Sequence, residues 1–203
     1  GRDVEATAEL SLEEAFHGTT RTVQLHGSVA CATCGGSGQV ASALCHTCQG
    51  SGQAARQRRI EVKIPPGVRT GSRVRAAAEG DPGAAGGPSG DLFVLVTVQP
   101  HPRFERKGDD LHTEVEVQLL AAVLGGEVNV PTIDGQVALK LPELTQNGKS
   151  FRLSGKGMPG LGNPDRRGDL YARVRVRLPE KLTADQKVLF EQLRQSEEVV
   201  AHG

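Results

Sequence analysis

Apolar and polar residues alternate from the first residues onward. Val4, Ala6, Ala8 and Leu10 interleave with Asp3, Glu5, Thr7 and Glu9, the two-residue period of a half-buried strand. Ile60, Val62 and Ile64 keep that period, and so do Leu92, Val94, Val96 and Val98. It returns at Leu111, Thr113, Val115 and Val117, and at Val137, Leu139 and Leu141. One short helix is predicted after each opening strand. Ser11-Leu-Glu-Glu14 has the capping-box pattern with Gly18 as its stop, and Leu119 to Leu124 closes on Gly125 in the same place. A third helix is predicted from Ala184 to about Ser196, opened by Thr183-Ala-Asp-Gln186, with Leu189 and Leu193 on one stripe and Phe190 beside it. A helix of that length is marginal alone in water, so it must dock on its own domain or on a second copy of the chain. The stretches 80–87 and 155–168 show no apolar period and predict long loops.

These patterns occur twice. Residues 3–18 align with 110–125 at an offset of 107, and Ile60 to Pro65 with Val137 to Pro142 at an offset of 77. Gly80 falls on Gly157 and Pro82 on Pro159, and Gly90-Asp-Leu92 falls on Gly168-Asp-Leu170 at an offset of 78. The first copy is therefore longer than the second by an insertion between two of its strands. The reading is a mainly β chain of two tandem homologous domains, 1–108 and 109–179, with an insertion at about 27–56 and a terminal helical segment 180–203.

Composition narrows the function. Only 37 % of the 203 residues are hydrophobic and 3 % aromatic, and Gly occurs 26 times, which fits small cores and many turns. Lys plus Arg and Asp plus Glu are both 24, so no basic excess marks the chain as a phosphate binder. Arg173, Arg175 and Arg177 alternate with Val174, Val176 and Leu178, the solvated face of a strand. No apolar run approaches the ~20 residues of a membrane span. No signal-peptide pattern opens the chain, and its first residue, Gly1, predicts a piece of a longer protein.

The insertion carries the candidate chemistry. Cys31, Cys34, Cys45 and Cys48 are the only cysteines, and they form two C-x-x-C-x-G-x-G motifs. Four thiolates satisfy one zinc ion tetrahedrally, without His26 or His46. The segment around them is too polar to build a core, so a metal staple is expected. Disulfides and a redox dithiol are the competing readings. Four cysteine ligands leave no open position for catalytic zinc.

Taken with Pro65-Pro-Gly-Val-Arg-Thr-Gly71, His101-Pro-Arg-Phe104, Pro131-Thr-Ile-Asp-Gly135 and Phe151-Arg-Leu-Ser-Gly155, the two cysteine motifs make the chain resemble the DnaJ family of J-domain co-chaperones, class A in layout. The resemblance implies two β-sandwich-like domains, a zinc-binding projection from the first and a terminal helix that dimerises through Leu189, Phe190 and Leu193. It implies a non-enzymatic, cytoplasmic homodimer that binds unfolded client polypeptides and serves a DnaK-type chaperone in protein folding and stress response. By the family's pattern the client pocket is Val4, Val23, Leu25, Ile60 and Val94. The equivalents in the second copy are Leu111, Val130, Thr132, Val137 and Ala172, and a pocket there is expected to be less used. Class A members usually carry four cysteine motifs and two zinc ions; two motifs here imply one Zn²⁺. The sequence contains no J-domain with its His-Pro-Asp loop, so it is not expected to stimulate a partner ATPase by itself. A zinc-stabilised nucleic-acid-binding module and a dithiol oxidoreductase are the alternatives. The first predicts steep salt dependence, the second readily oxidised, metal-free protein.

Overall fold

The structure, a computed structural model, describes residues 1–81 and 87–201, and of Ser28 and residues 198–201 the backbone alone. Pro82, and with it most of the loop expected over 80–87, lies outside the described residues. The chain divides into two compact units. Unit 1 comprises residues 1–111 and 154–169, and unit 2 residues 112–153 and 170–203. The segment 154–169, which the internal repeat assigns to the second copy, packs within unit 1.

Unit 1 opens with β1 (Val4–Leu10), α1 (Leu12–His17) and β2 (Thr19–Ala30), followed by two short strands, β3 (Gln39–Val40) and β4 (Ala43–Leu44). Then come β5 (Gln53–Ile64), β6 (Arg73–Ala76), β7 (Leu92–Val98) and β8 (Glu105–Lys107). β7 lies between β1, to which it is parallel, and β6. Its inward residues Leu92, Val94 and Val96 are wholly buried, because a central strand covered on both edges takes the most apolar sequence available. β2 and β5 form a separate antiparallel ribbon of twelve residues each. α1 starts at a complete capping box: the Ser11 hydroxyl accepts from the Glu14 N–H, and the Glu14 carboxylate accepts from the Ser11 N–H. Its buried face, Leu12, Ala15 and Phe16, joins the core.

Unit 2 repeats this plan. After β9 (Asp110–Gln118) come α2 (Leu119–Leu124), β10 (Gly126–Thr132), β11 (Gly135–Leu141) and β12 (Ser150–Leu153), and after the excursion into unit 1 comes β15 (Leu170–Arg177). β15 lies between β12 and β9, as β7 lies between β6 and β1. The register repeats residue for residue. Val23 pairs with Ile60 and its equivalent Val130 with Val137; Val74 pairs with Val94 and Phe151 with Ala172.

The expected loop 155–168 is in part a small hairpin, β13 (Pro159–Gly160) with β14 (Asn163–Arg167). Sequence periodicity missed it because its strands are short and its register is irregular. Longer-range contacts hold this segment in place: Met158 is buried and its N–H donates to Asp109 O at 2.7 Å, and the Arg167 guanidinium lies 4.7 Å from the Phe16 ring centre. The terminal helix α3 (Ala184–Ala201) runs past its expected end and begins at the predicted Thr183–Gln186 capping box.

Candidate functional site

The β2–β5 ladder runs up to the Ala30–Gln53 pair, inside the span expected for the insertion. The cysteine knuckle itself therefore occupies residues 31–52, at the tip of a continuous ribbon. Each half is built the same way. The Ser37 hydroxyl donates to Cys34 O and Gln39 O, and the Ser51 hydroxyl to Cys48 O and Gln53 O. Gly38 N–H donates to Cys34 Sγ and Gly52 N–H to Cys48 Sγ, both at 3.3 Å. The halves then exchange backbone bonds, Cys31 N–H to Gly52 O and Cys45 N–H to Gly38 O, each 2.9 Å. Only glycine fits at residues 38 and 52. Both have positive φ, and a Cβ on either would run into a backbone carbonyl, that of Gly50 or that of Gly36.

All four sulfurs lie within 4.8 Å of one another. The short separations run across the motifs, 3.9 Å for Cys31–Cys45 and 3.7 Å for Cys34–Cys48. A tetrahedron with ~2.3 Å from metal to sulfur has edges of about 3.8 Å, whereas a disulfide needs about 2.05 Å. The donor set thus fits a single zinc ion. The local field favours thiolates at three positions. Backbone N–H groups, foremost that of Cys34, hold the Cys31 thiol below its ordinary value, and that of Cys48 does the same for Cys45. At Cys34 burial pushes the thiol up, but the N–H groups of Gly38 and Gly36 bring it lower on balance. Burial prevails at Cys48, whose thiol is raised. A bound dication offsets the cost of gathering these charges.

The second candidate is a seam. Among the described residues, β1 has β7 on one edge and no strand on the other, and β2 has β5 and no strand on the other. Between these bare edges runs a groove of about 580 Å³ lined by residues 4–9 and 21–26. Consecutive residues of both strands line it, so it follows the strand edges and not one face. Its apolar lining is Val4, Ala6, Ala8, Val23 and Leu25. Arg21 closes one end by donating to Glu9 O at 3.2 Å and to the Glu14 carboxylate at 2.7 Å. Of the five expected pocket residues, the structure brings Val4, Val23 and Leu25 together here. Ile60 pairs with Val23 but lines a separate groove, with Arg56, Arg58 and Glu79. Val94 is wholly buried in β7. Ala6, Ala8 and Arg21 were not singled out from the sequence; the signal for them is the internal alignment, which sets them against Thr113, Val115 and Val128.

The sequence that builds this knuckle and the duplicated β chain around it is similar to known proteins. The family model described as the DnaJ C terminal domain matches residues 4–179. The chain belongs to the DnaJ C-terminal domain family. Its relatives include three proteins each named Chaperone protein DnaJ. That of Bartonella quintana is 37 % identical over 231 residues, covering 94 % of the chain. Those of Methylorubrum populi and Bordetella petrii are 38 % and 39 % identical, each over 97 % of the chain. The chain spans 61–63 % of the length of these relatives. The aligned regions are longer than the 203-residue chain, so the DnaJ relatives carry residues that it does not.

The third candidate is the α3 stripe of this DnaJ-family chain. Leu189 and Leu193 are exposed, with Phe190 half-buried beside them. Val188, Leu182 and Leu178 are exposed as well. No helix among the described residues is long and apolar enough to cross a membrane.

Proposed function

We propose that the chain is the client-binding part of a DnaJ-type co-chaperone, which takes up extended, non-native polypeptide in the β1–β2 seam for delivery to a DnaK-type chaperone. The observation that carries this reading is the pair of strand edges, bare among the described residues, that face one groove with Val4, Ala6, Ala8, Val23 and Leu25 in its lining. Strand addition supplies backbone hydrogen bonds that do not depend on sequence. The groove adds a contact for one apolar side chain, worth ~1.5–3 kcal/mol when a residue such as leucine is fully buried. Ordering a flexible client offsets much of that gain, so binding is weak and exchange fast. Val4, Val23 and Leu25 contact the client; Ile60 and Val94 support the groove from behind.

In this reading the chain is not an enzyme. One structural Zn²⁺ on Cys31, Cys34, Cys45 and Cys48 holds the knuckle rigid, and a reducing cytoplasm keeps the four free thiols available as ligands. The α3 stripe dimerises the chain. The test is binding of a fluorescent, permanently unfolded polypeptide, followed by anisotropy at low and high salt. Saturable binding that varies little with salt is expected. No binding overturns the reading, and a steep loss with salt, together with binding of RNA or DNA, replaces it by a nucleic-acid role.

A further inference from the structure

The knuckle repeats itself at a spacing of 14 residues, Cys31 on Cys45 and Cys34 on Cys48, yet its halves are not shielded alike. Cys31, Cys45 and Cys48 are buried, whereas Cys34 is half-buried. Hydrogen bonding does not account for the difference. Cys34 and Cys48 each accept from a glycine N–H at 3.3 Å, that of Gly38 or Gly52, and the serine that closes each turn donates to the matching carbonyl. The side chain ahead of each motif does differ. Leu44 precedes the second motif and leans over its turn: a Cβ on Gly50 would stand 2.9 Å from Leu44 Cδ2. The residue in the same place before the first motif is Ala30, and a Cβ on Gly36 would stand 3.5 Å from Ala30 Cβ. An isobutyl group therefore roofs the Cys48 turn, and a methyl group the Cys34 turn.

From this asymmetry we infer that Cys34 is an oxidation site at which hydrogen peroxide opens the knuckle, with Cys48 as the thiol that resolves it. The inference rests on the proposed zinc reading of the four cysteines and adds a point of entry to it. An accessible thiolate beside a second thiolate is the arrangement of a peroxide-sensitive pair. Cys34 is the accessible member, and Cys48 Sγ lies 3.7 Å from its sulfur. The Cys34 thiolate attacks the peroxide: an S–O bond forms, the O–O bond breaks and hydroxide leaves, so that Cys34 becomes a sulfenic acid. The Cys48 thiolate then attacks the Cys34 sulfur: an S–S bond forms, the S–O bond breaks and a second hydroxide leaves. Two thiolates are oxidised to one disulfide, and one peroxide is reduced to two hydroxides. The disulfide withdraws two of the four ligands, and Cys31 and Cys45 do not complete a tetrahedral zinc site by themselves.

The experiment treats the whole zinc-loaded chain with hydrogen peroxide, with and without the sulfenic-acid trap dimedone. Peptide mass spectrometry reads the labelled cysteines and the disulfides, and a chromogenic chelator reads zinc release. The trap is expected to label Cys34 first. Without it, a Cys34–Cys48 disulfide is expected to form in step with the release of zinc. Ala30→Leu, which copies the second roof onto the first, is expected to slow labelling and zinc release severalfold. Leu44→Ala, which copies the first roof onto the second, is expected to bring label onto Cys48 as well. Ala30 and Leu44 are both exposed, and each variant is first titrated with zinc; if Ala30→Leu fails to hold the ion, Leu44→Ala decides. First labelling at a cysteine other than Cys34, a first disulfide within one motif, or zinc-loaded variants that react as the wild type does overturn this inference and leave the zinc reading standing. A reduced wild-type chain that takes up no zinc overturns both.

Discussion

Leu25 pairs with Arg58, two positions along the β2–β5 ladder from the Val23–Ile60 pair, yet substitutions at Leu25 and Ile60 should be read by different instruments. Leu25 is half-buried and lines the seam, while Ile60, the cross-strand partner of Val23, is 7 % exposed and is not among the residues that line it. Leu25→Ala is expected to weaken client binding by about tenfold with little change in thermal midpoint. Ile60→Ala is expected to cost about 2–5 kcal/mol of stability through the cavity it leaves, with binding preserved in the fraction that stays folded. Peptide titration and thermal melting of both variants check the pair; equal binding losses would place Ile60 in the seam after all. Asp91 governs a pH response at the same scale. Its Oδ1 accepts from the Ala78 N–H and its Oδ2 from Arg75 Nε, and the two hold the carboxyl below its ordinary value, the backbone bond foremost. A carboxyl lowered in the folded state stabilises the fold above its ordinary pKa, near 4, and that stabilisation is lost as pH falls through the folded value. Asp91→Asn is therefore expected to lower stability at neutral pH and to flatten its fall below about pH 4. Denaturant midpoints across pH test the sign.

At the scale of elements, helix starts were legible and the 159–167 hairpin was not, for a shared reason. A capping box is a local hydrogen-bond pattern written in four adjacent residues, and Ser11–Glu14 and Thr183–Gln186 both form it. The hairpin instead depends on partners distant in sequence, Asp109 and Phe16 among them, which no local period encodes. The cysteine knuckle is the extreme local case, since spacing alone brings four sulfurs to metal-binding distances. The β2–β5 pairing below it continues up to Ala30–Gln53 through backbone hydrogen bonds that involve no cysteine. Chelation is therefore expected to release one zinc per chain and to open residues 31–52 to hydrogen exchange, leaving the strands of β1, β7, β9 and β15 protected. Exchange mass spectrometry before and after chelation measures this; loss of protection throughout would show that the knuckle supports both cores.

For the whole chain, duplication was the most legible feature and the open seam the least. The internal alignment sets Ile60 against Val137 and Val23 against Val130, and the two pairs hold the same register position in their ribbons. Alternation shows which face of a strand is apolar, but not which edge lacks a neighbour, so it cannot by itself say which of Val4, Val23, Leu25, Ile60 and Val94 would meet a client. If the β1–β2 seam captures clients as proposed, a single seam gives weak capture, and a second copy of the chain would change function more than any single contact does. The α3 stripe offers the means: Leu189 and Leu193 stand 63 % and 57 % exposed, an arrangement that a partner helix would cover. The pair Leu189→Asp and Leu193→Asp is expected to convert a dimer to monomers without changing the affinity for a short peptide, because the seam lies in unit 1 and the stripe in unit 2. A long client that can reach two seams should then lose about a hundredfold in avidity. Sedimentation of the variant, with parallel titrations of short and long clients, separates the outcomes. A wild-type chain that sediments as a monomer would remove avidity from the account and leave α3 to find its cover elsewhere.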